Sequence, residues 1–572
     1  MNTMVMPLGI DFFEKIRREG YYYVDKTGLI SELLGKKFEV SLITRPRRFG
    51  KTLAMDMLAS FFDISRDSRE IFAGLEIAKE KELCSRWQNQ WPVIFLTLKE
   101  IDDLRFESAK VKLGICMSDL YKWHTYLLES TKISDDDKIA FRRIESRQAN
   151  DEEVQNALYN LMRMMHAHFG KQVIMLMDEY DVPLAKANEN GFYGEMLNIV
   201  KGLMNKTLKT NPFLKFAVIT GCLRIAKESI FTGTKNFVSD TISGERFNEY
   251  FGFTENEVTK LLKETGFEEH AEEVKQWYDG YHFGTVDIYC PWDVLNHVNA
   301  LQDAPWTPPR NYWEDTSHNG ILHTFIELAN GGRRPDLDVN EKFETLLAGG
   351  YIEEAIEENL TYDTVYSSES NLWSLLYLTG YLTQAELPEG VRPEGVRPEG
   401  GKLFLRIPNE EVKIIFRKTV VAWFNERMAT IDRSELFDAL WQGDDSKATD
   451  IISDILFDTI SYHDYKEDFY HAFIAGIFTG AGYIVKSNRE QGYGRADISV
   501  KDRRNRRVMI IEAKHTDSER RLEAACREAV EQIGERRYAE EFEKGYRSVI
   551  SYGIAFFNKQ CLVKKFHEVV KK

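Results

Sequence analysis

Leu42-Ile43-Thr44-Arg45-Pro46-Arg47-Arg48-Phe49-Gly50-Lys51-Thr52-Leu53 decides the fold of the N-terminal half. An apolar strand, Val40 to Thr44, runs into a turn that ends in Gly50-Lys51-Thr52. It then opens a helix whose Leu53, Met57, Leu58, Phe61 and Phe62 make one stripe. A strand, loop and helix in that order aim backbone N–H groups and a helix N-terminus at an anion. The lysine reaches the outer phosphates and the hydroxyl holds Mg²⁺. Arg48, Phe49, Gly50, Lys51, Thr52 and Leu53 are therefore the candidate ATP-contacting residues, with Thr52 as a metal ligand. The common spacing G-x-x-x-x-G-K-[ST] asks for glycine at position 45, where this chain has Arg45.

Working outward, three more short, nearly continuous apolar runs follow: Val93 to Leu98, Val173 to Met177 and Phe216 to Thr220. Such runs, alternating with helical stretches, predict a parallel sheet covered on both faces in an α/β domain. The third run ends in Asp178-Glu179-Tyr180-Asp181. Asp178 is the expected second ligand of the magnesium and Glu179 the group that polarises the attacking water, as in additional-strand ATPases. Thr220, ending the fourth strand, is placed to sense the γ-phosphate, and Arg224 is the candidate transition-state arginine.

A second signature lies at the other end. From about residue 445 the chain reads as a helix (Asp468 to Thr479), strands at Tyr483 to Val485, Ala496 to Val500 and Val508 to Glu512, a helix from Leu522 to Tyr538, and a strand from Ile550 to Phe557. Asp497 stands on one strand and Glu512-Ala513-Lys514 closes the next. Residues two apart on a strand face the same way, so Glu512 and Lys514 share a surface, Ala513 packs inward, and Asp497 meets them from the neighbouring strand. Two carboxylates gather one or two Mg²⁺ ions, with Mn²⁺ as the alternative, and the lysine activates water or holds a phosphate. Asp497, Glu512 and Lys514 are thus candidates for phosphodiester cleavage, the two acids being the metal ligands. Glu-x-Lys alone is cheap, recurring at Glu273-Val274-Lys275 and Glu411-Val412-Lys413, but only Glu512 ends an apolar run and follows an acid-bearing strand. The Gly- and Arg-containing stretch Ser487 to Arg495 suits close approach to phosphates. Glu467, Gln532 and Tyr538 are possible supports of the site.

The length of 572 residues allows about three to five domains. The expected division is 1–245 for the nucleotide core, 246–300 for a helical lid, 301–440 for a mostly helical middle region, and 445–572 for the last α/β domain. The aromatic cluster Trp277 to Phe283 reads as packing rather than as a base-stacking platform. The tandem Pro-Glu-Gly-Val-Arg repeat within 386–401 reads as a flexible surface insert, and 401–440 as a helical connector. A net charge of −16 excludes a broad positive coat, so nucleic acid must be met locally, for example by Arg503-Arg504-Asn505-Arg506-Arg507. Six scattered cysteines without CxxC spacing exclude a zinc ribbon and fit a reducing cytoplasm. No export signal or membrane-length apolar run is present in the sequence, so no membrane partner is expected.

Tyr22 to Thr27, the loop Arg45-Pro46-Arg47-Arg48-Phe49-Gly50-Lys51-Thr52 and Asp178-Glu179-Tyr180-Asp181 resemble the bacterial AAA-ATPase-like family. In that family the arginine-led loop is the usual form. The C-terminal stretch from Ser487 through Asp497 to Glu512-Ala513-Lys514 resembles the PD-(D/E)XK nuclease superfamily domain that often accompanies it. The resemblance implies a P-loop fold with a restriction-endonuclease-like tail. The expected protein is an ATPase that regulates a Mg²⁺-dependent nuclease acting on nucleic acid, DNA rather than RNA, in defence against foreign DNA, with homo-oligomers allowed. The alternative is an ATP-driven switch or scaffold whose tail binds without cutting.

Overall fold

The computed structural model describes residues 4–224, 237–313, 322, 325, 339–362, 364, 365, 367–385, 402–430, 432–459, 467–478, 483–487, 498–535, 542, 545–558 and 560–570. Strands β1 (Val40–Thr44), β2 (Val93–Thr97), β3 (Val173–Asp178), β4 (Leu214–Gly221) and β5 (Phe237–Asp240) form one parallel sheet in the order β2-β3-β4-β1-β5. The expected parallel sheet is present. β4 lies between the strand that feeds the phosphate loop and the strand that ends in Asp178, which is the additional-strand arrangement.

Side-chain parity explains why the site converges. Val40, Leu42, Met175, Met177, Ala217 and Ile219 all enter one buried cluster with Leu113, Met117, Leu161, Met165, Leu203 and Met204 of the covering helices. Alternate residues on a strand face opposite sides. Ile174, Leu176, Phe216 and Val218 therefore face the other way, where Phe62 of the Lys51–Phe62 helix meets Phe216 at 5.5 Å. Asp178 and Thr220 share that second parity, so both come to the side of the phosphate-loop helix. Burying each aliphatic side chain of the sheet stabilises it by about 1.5–3 kcal/mol, and a charge at Met177 would break the layer.

Strand β5 was not anticipated. It is only four residues long and three of them are half-buried, so it shows no continuous apolar run. Residues 246–300 hold helices Glu255–Thr265, Ala271–Tyr278 and Pro291–Asp303, and also an antiparallel sheet of β6 (Phe253–Thr254), β7 (Tyr281–Phe283) and β8 (Val286–Tyr289). Tyr278, Tyr281, Phe283 and Tyr289 are buried, as packing anchors. In the middle region the described residues include β9 (Ile352–Ala355), β10 (Thr383–Gln384) and β11 (Lys402–Arg406), in the order β10-β11-β9. The helical reading of 402–406 is corrected: the segment is strand β11 with Leu405 buried, and the helix Glu410–Thr430 begins only after Pro408.

The C-terminal sheet runs β12 (Ile484–Ser487), β13 (Ile498–Asp502), β14 (Arg507–His515), β15 (Ser548–Phe557) and β16 (Gln560–Val570) in that order. Only the β14–β15 pairing is parallel. Helices Glu467–Phe478 and Leu522–Glu535 match the two expected helices, whereas β16 was missed. Its lysines and histidine dilute the apolar signal, as is usual for an edge strand. The chain groups into two compact units, Met1–Ser317 with Glu353–Val412, and His318–Ile352 with Lys413–Lys572. Among the described residues, no helix is long and apolar enough to cross a membrane. The Pro-Glu-Gly-Val-Arg repeat, Asp497 and Tyr538 lie outside the described residues, as does the side chain of Glu467.

Candidate functional site

In the phosphate loop Arg48 (φ 72°) and Gly50 (φ 79°) are left-handed while Phe49 between them is not. Alternating backbone hands turn successive N–H groups to one concave side, an anion nest, and glycine takes the left-handed position without strain. Gly50 then caps the Lys51–Phe62 helix. The Phe49 ring is buried between Tyr281 (4.9 Å) and Phe283 (5.1 Å), which anchors the loop on β7. Arg48 donates to the Tyr312 carbonyl at 2.8 Å and stacks over Trp292 at 4.6 Å. Leu53 is half-buried on the first helical turn.

Arg45, the residue that replaces glycine, is a buried brace. Its guanidinium donates to the carbonyls of Thr44 (2.8 Å), Asp240 (3.1 Å) and Arg246 (3.1 Å), and it lies 5.5 Å from both the Phe251 and Phe283 rings. Burial lowers its pKa to about 10. Arginine here clamps the loop to the end of β5, a duty that glycine has no atoms to perform.

Lys51 holds its ammonium inside the loop, donating to the carbonyls of Arg45 (3.0 Å) and Pro46 (2.8 Å). Thr52 donates to Asp178 Oδ2 at 2.7 Å, and Thr220 donates to Asp178 Oδ1. Asp178 is fully buried and bridges the two hydroxyls. Glu179 follows with a left-handed backbone (φ 50°), a strained geometry for a non-glycine residue that turns it out of the strand. Burial raises its pKa, with Asp178 and Asp181 adding to the rise and Lys51 opposing it. A carboxyl tuned upward in this way suits a general base.

Sequence reading missed the roles of the two residues after Glu179. Tyr180 donates to the Leu223 carbonyl at 2.8 Å, and Asp181 Oδ2 accepts from the N–H groups of Cys222 and Leu223, both at 3.0 Å. Together they set the turn after β4, just before half-buried Arg224. The available signal was the second acid of Asp178-Glu179-Tyr180-Asp181. Asp25 and Lys26, inside the stretch Tyr22 to Thr27, are structural. Asp25 binds Thr27 and the Glu76 N–H, and Lys26 pairs with Glu257 at 2.6 Å beside the Glu249 carbonyl.

The donor set fits a magnesium-bound nucleotide. An ammonium, a hydroxyl touching a buried carboxylate, a helix N-terminus and a second carboxyl are the groups a magnesium triphosphate requires.

At the C-terminal end, Val508 and Ile510 share a cluster with Ile533 of the Leu522–Glu535 helix. Parity carries Glu512 and Lys514 to the same side. Glu512 Oε1 accepts from Gln532 Nε2 of that helix, and Lys514 Nζ lies 4.0 Å from the same oxygen. Gly553 pairs with Glu512, and a Cβ there would meet Val530 Cγ2 at 2.8 Å and the Cys526 carbonyl at 2.9 Å. Only glycine permits the helix to come so close to the carboxylate.

Ala513 is buried as expected; Glu512 is buried as well, and Lys514 is half-buried. The Leu522–Glu535 helix covers one side of β14, while Tyr470 stacks on His515 from the other. Asp497 directly precedes β13, whose Ile498 pairs with Ile511.

Residues 7–231 match the family model described as a predicted AAA-ATPase, and residues 465–566 match that of the PD-(D/E)XK nuclease superfamily. A curated relative from Azotobacter chroococcum mcd 1, "Uncharacterized protein in vnfD 5'region", is 24% identical over 576 residues, spanning 97% of this chain and 97% of its own. Two domain matches on one chain thus support a nucleotide-binding and nuclease-like protein, similar to the AAA-ATPases at one end and to the PD-(D/E)XK nucleases at the other.

Proposed function

We propose that the chain hydrolyses ATP at the N-terminal loop and, under the control of that nucleotide, cuts phosphodiester bonds of nucleic acid at the C-terminal site. One observation carries the reading: an acid and an amine on the same face, Glu512 and Lys514, 4.0 Å apart, in a chain whose other end joins Thr52 to Asp178. In the ATP site Lys51 neutralises phosphate charge, Thr52 and Asp178 hold the cation, and Glu179 takes the proton of the attacking water. Thr220 reports the outer phosphate to β4, and Arg224 stabilises the transition state.

In the nuclease site Asp497 and Glu512 would hold Mg²⁺ or Mn²⁺, which would supply positive charge to the attacking and leaving oxygens. Lys514 orients or deprotonates the water, and Gln532 fixes the Glu512 carboxylate. DNA is the favoured substrate, with defence against foreign DNA as the setting and the cytoplasm as the place. The working division is a core at 1–245, a lid at 246–300, a middle region at 301–440 and a nuclease domain at 445–572.

The test pairs ATP turnover with cleavage of linear, circular and single-stranded substrates by wild type, Lys51→Ala and Lys514→Ala, with and without divalent ion. Lys514→Ala is expected to lose cutting and keep ATP turnover, and Lys51→Ala to lose turnover and alter cutting. Cutting indifferent to Lys514→Ala would reject the assignment.

A further inference from the structure

The turn between β13 and β14 is clamped from inside. Asp502 pairs with Arg507 across the hairpin. Its Oδ1 accepts from Asn505 N (3.0 Å), and its Oδ2 accepts from Asn505 Nδ2 (2.7 Å) and Arg507 Nε (2.8 Å). Arg507 itself lies 4.2 Å over the Trp441 ring. The acid of the turn is therefore consumed in holding its shape, and Arg506 adopts a left-handed backbone (φ 53°) to close it. What projects from this clamped frame is Arg503, Arg504 and Arg506, all exposed. A fourth exposed guanidinium comes from 41 positions beyond Arg506, Arg547, whose N–H donates to the Arg506 carbonyl at 2.6 Å. Among the described residues none of the four side chains is engaged by an acid.

We propose that this arginine cluster is a docking surface for the phosphate backbone of duplex DNA, an inference that rests on the nuclease reading of the same domain. A charge of −16 over the whole chain makes four gathered arginines the kind of local positive surface that a nucleic-acid partner needs. Guanidinium groups are suited to phosphate oxygens by their forked donors. Five residues of β14 separate Arg507 from Glu512, about 17 Å at the rise of a strand. With phosphates about 3.4 Å apart along one strand of a duplex, the cluster grips the backbone roughly five nucleotides from the bond presented to Glu512 and Lys514. The cluster thus sets register and minimum substrate length rather than taking part in the chemistry.

The experiment measures binding of labelled duplex DNA, single-stranded RNA and polyglutamate competitor to the full chain in EDTA, across a salt series. Wild type is compared with a variant carrying Arg503→Gln, Arg504→Gln, Arg506→Gln and Arg547→Gln, and with the four matching Arg→Lys changes. Because the four side chains are exposed, unchanged thermal melting checks folding. The glutamine variant is expected to bind duplex at least about tenfold more weakly, with the slope of log K against log salt shallower by about three. The lysine variant should keep most of the slope. Equal affinity and slope in wild type and glutamine variant, with wild type bound to DNA, would overturn the cluster and leave the nuclease reading standing. Absence of all nucleic-acid binding by wild type would remove both. Polyglutamate competing as well as DNA, charge for charge, would make the surface a general anion patch, and preference for single-stranded RNA would assign it to another partner; either result overturns the proposal.

Discussion

Arg45 stands where the common phosphate loop has glycine, and its burial makes a prediction opposite to the one motif matching would give. Restoring the common residue with Arg45→Gly removes three hydrogen bonds to backbone carbonyls, two of them buried, and leaves a cavity between Phe251 and Phe283. The loss should be about 3 kcal/mol or more, seen as a lower thermal midpoint and weaker ATP binding. An unchanged midpoint would contradict the brace. Gln532 makes a second case. It fixes Glu512 without itself meeting the reacting atoms, so Gln532→Ala should lower cleavage or metal affinity by about 10- to 100-fold. Raising the divalent ion concentration should recover much of the rate, whereas a loss insensitive to the ion would point to damage elsewhere. Gly50, Lys51, Thr52, Asp178, Glu512 and Lys514 were legible because each sits at a fixed place after an apolar run. Arg45 and Gln532 were harder, since their partners come from distant parts of the chain.

Elements place these residues, and two of them can be tested. The Leu522–Glu535 helix approaches β15 at Gly553 more closely than a Cβ allows. Gly553→Ala should push the helix away, cost about 1–3 kcal/mol, and reduce cleavage by parting Gln532 from Glu512. Retained stability together with full cleavage would show that the close approach is dispensable. Another element is pinned by buried acids. Glu411, in the first turn of the Glu410–Thr430 helix, accepts from the N–H groups of Tyr312 (2.5 Å) and Trp313 (2.9 Å), while fully buried Asp293 lies in the first turn of the Pro291–Asp303 helix. Burial, and then Asp293 beside it, raises the Glu411 pKa, and burial raises that of Asp293. Folded chains therefore hold a proton that unfolded chains have lost above about pH 4.3, so stability is greatest below that value and falls as pH rises through the folded pKa. Glu411→Gln, which cannot lose the proton, should melt with a flatter dependence between about pH 5 and 9. Parallel curves for the two proteins would contradict a protonated pair. The strands that escaped sequence reading, β5 to β11 and β16, carry aromatic, polar or charged residues that break the apolar run, and all but β16 are five residues or shorter.

For the whole molecule, the α/β class, the parallel sheet and the last domain's elements from Glu467–Phe478 to β15 followed from apolar periodicity, whereas the helix Asp445–Thr459, β16 and the small antiparallel sheets did not. With a charge of −16, the proposed nucleic-acid contact has to be made by a local surface such as the arginine turn. The central claim is that one chain couples a triphosphate site to a phosphodiester-cutting site. Its most direct measurement is single-turnover cleavage of end-labelled linear duplex with Mg²⁺, by wild type and Lys514→Ala, with ATP hydrolysis followed in the same tubes. The account predicts product from wild type and none from Lys514→Ala, with ATP consumed at the same rate in both. Equal product from the two proteins, or no product from a wild type that hydrolyses ATP, would contradict it.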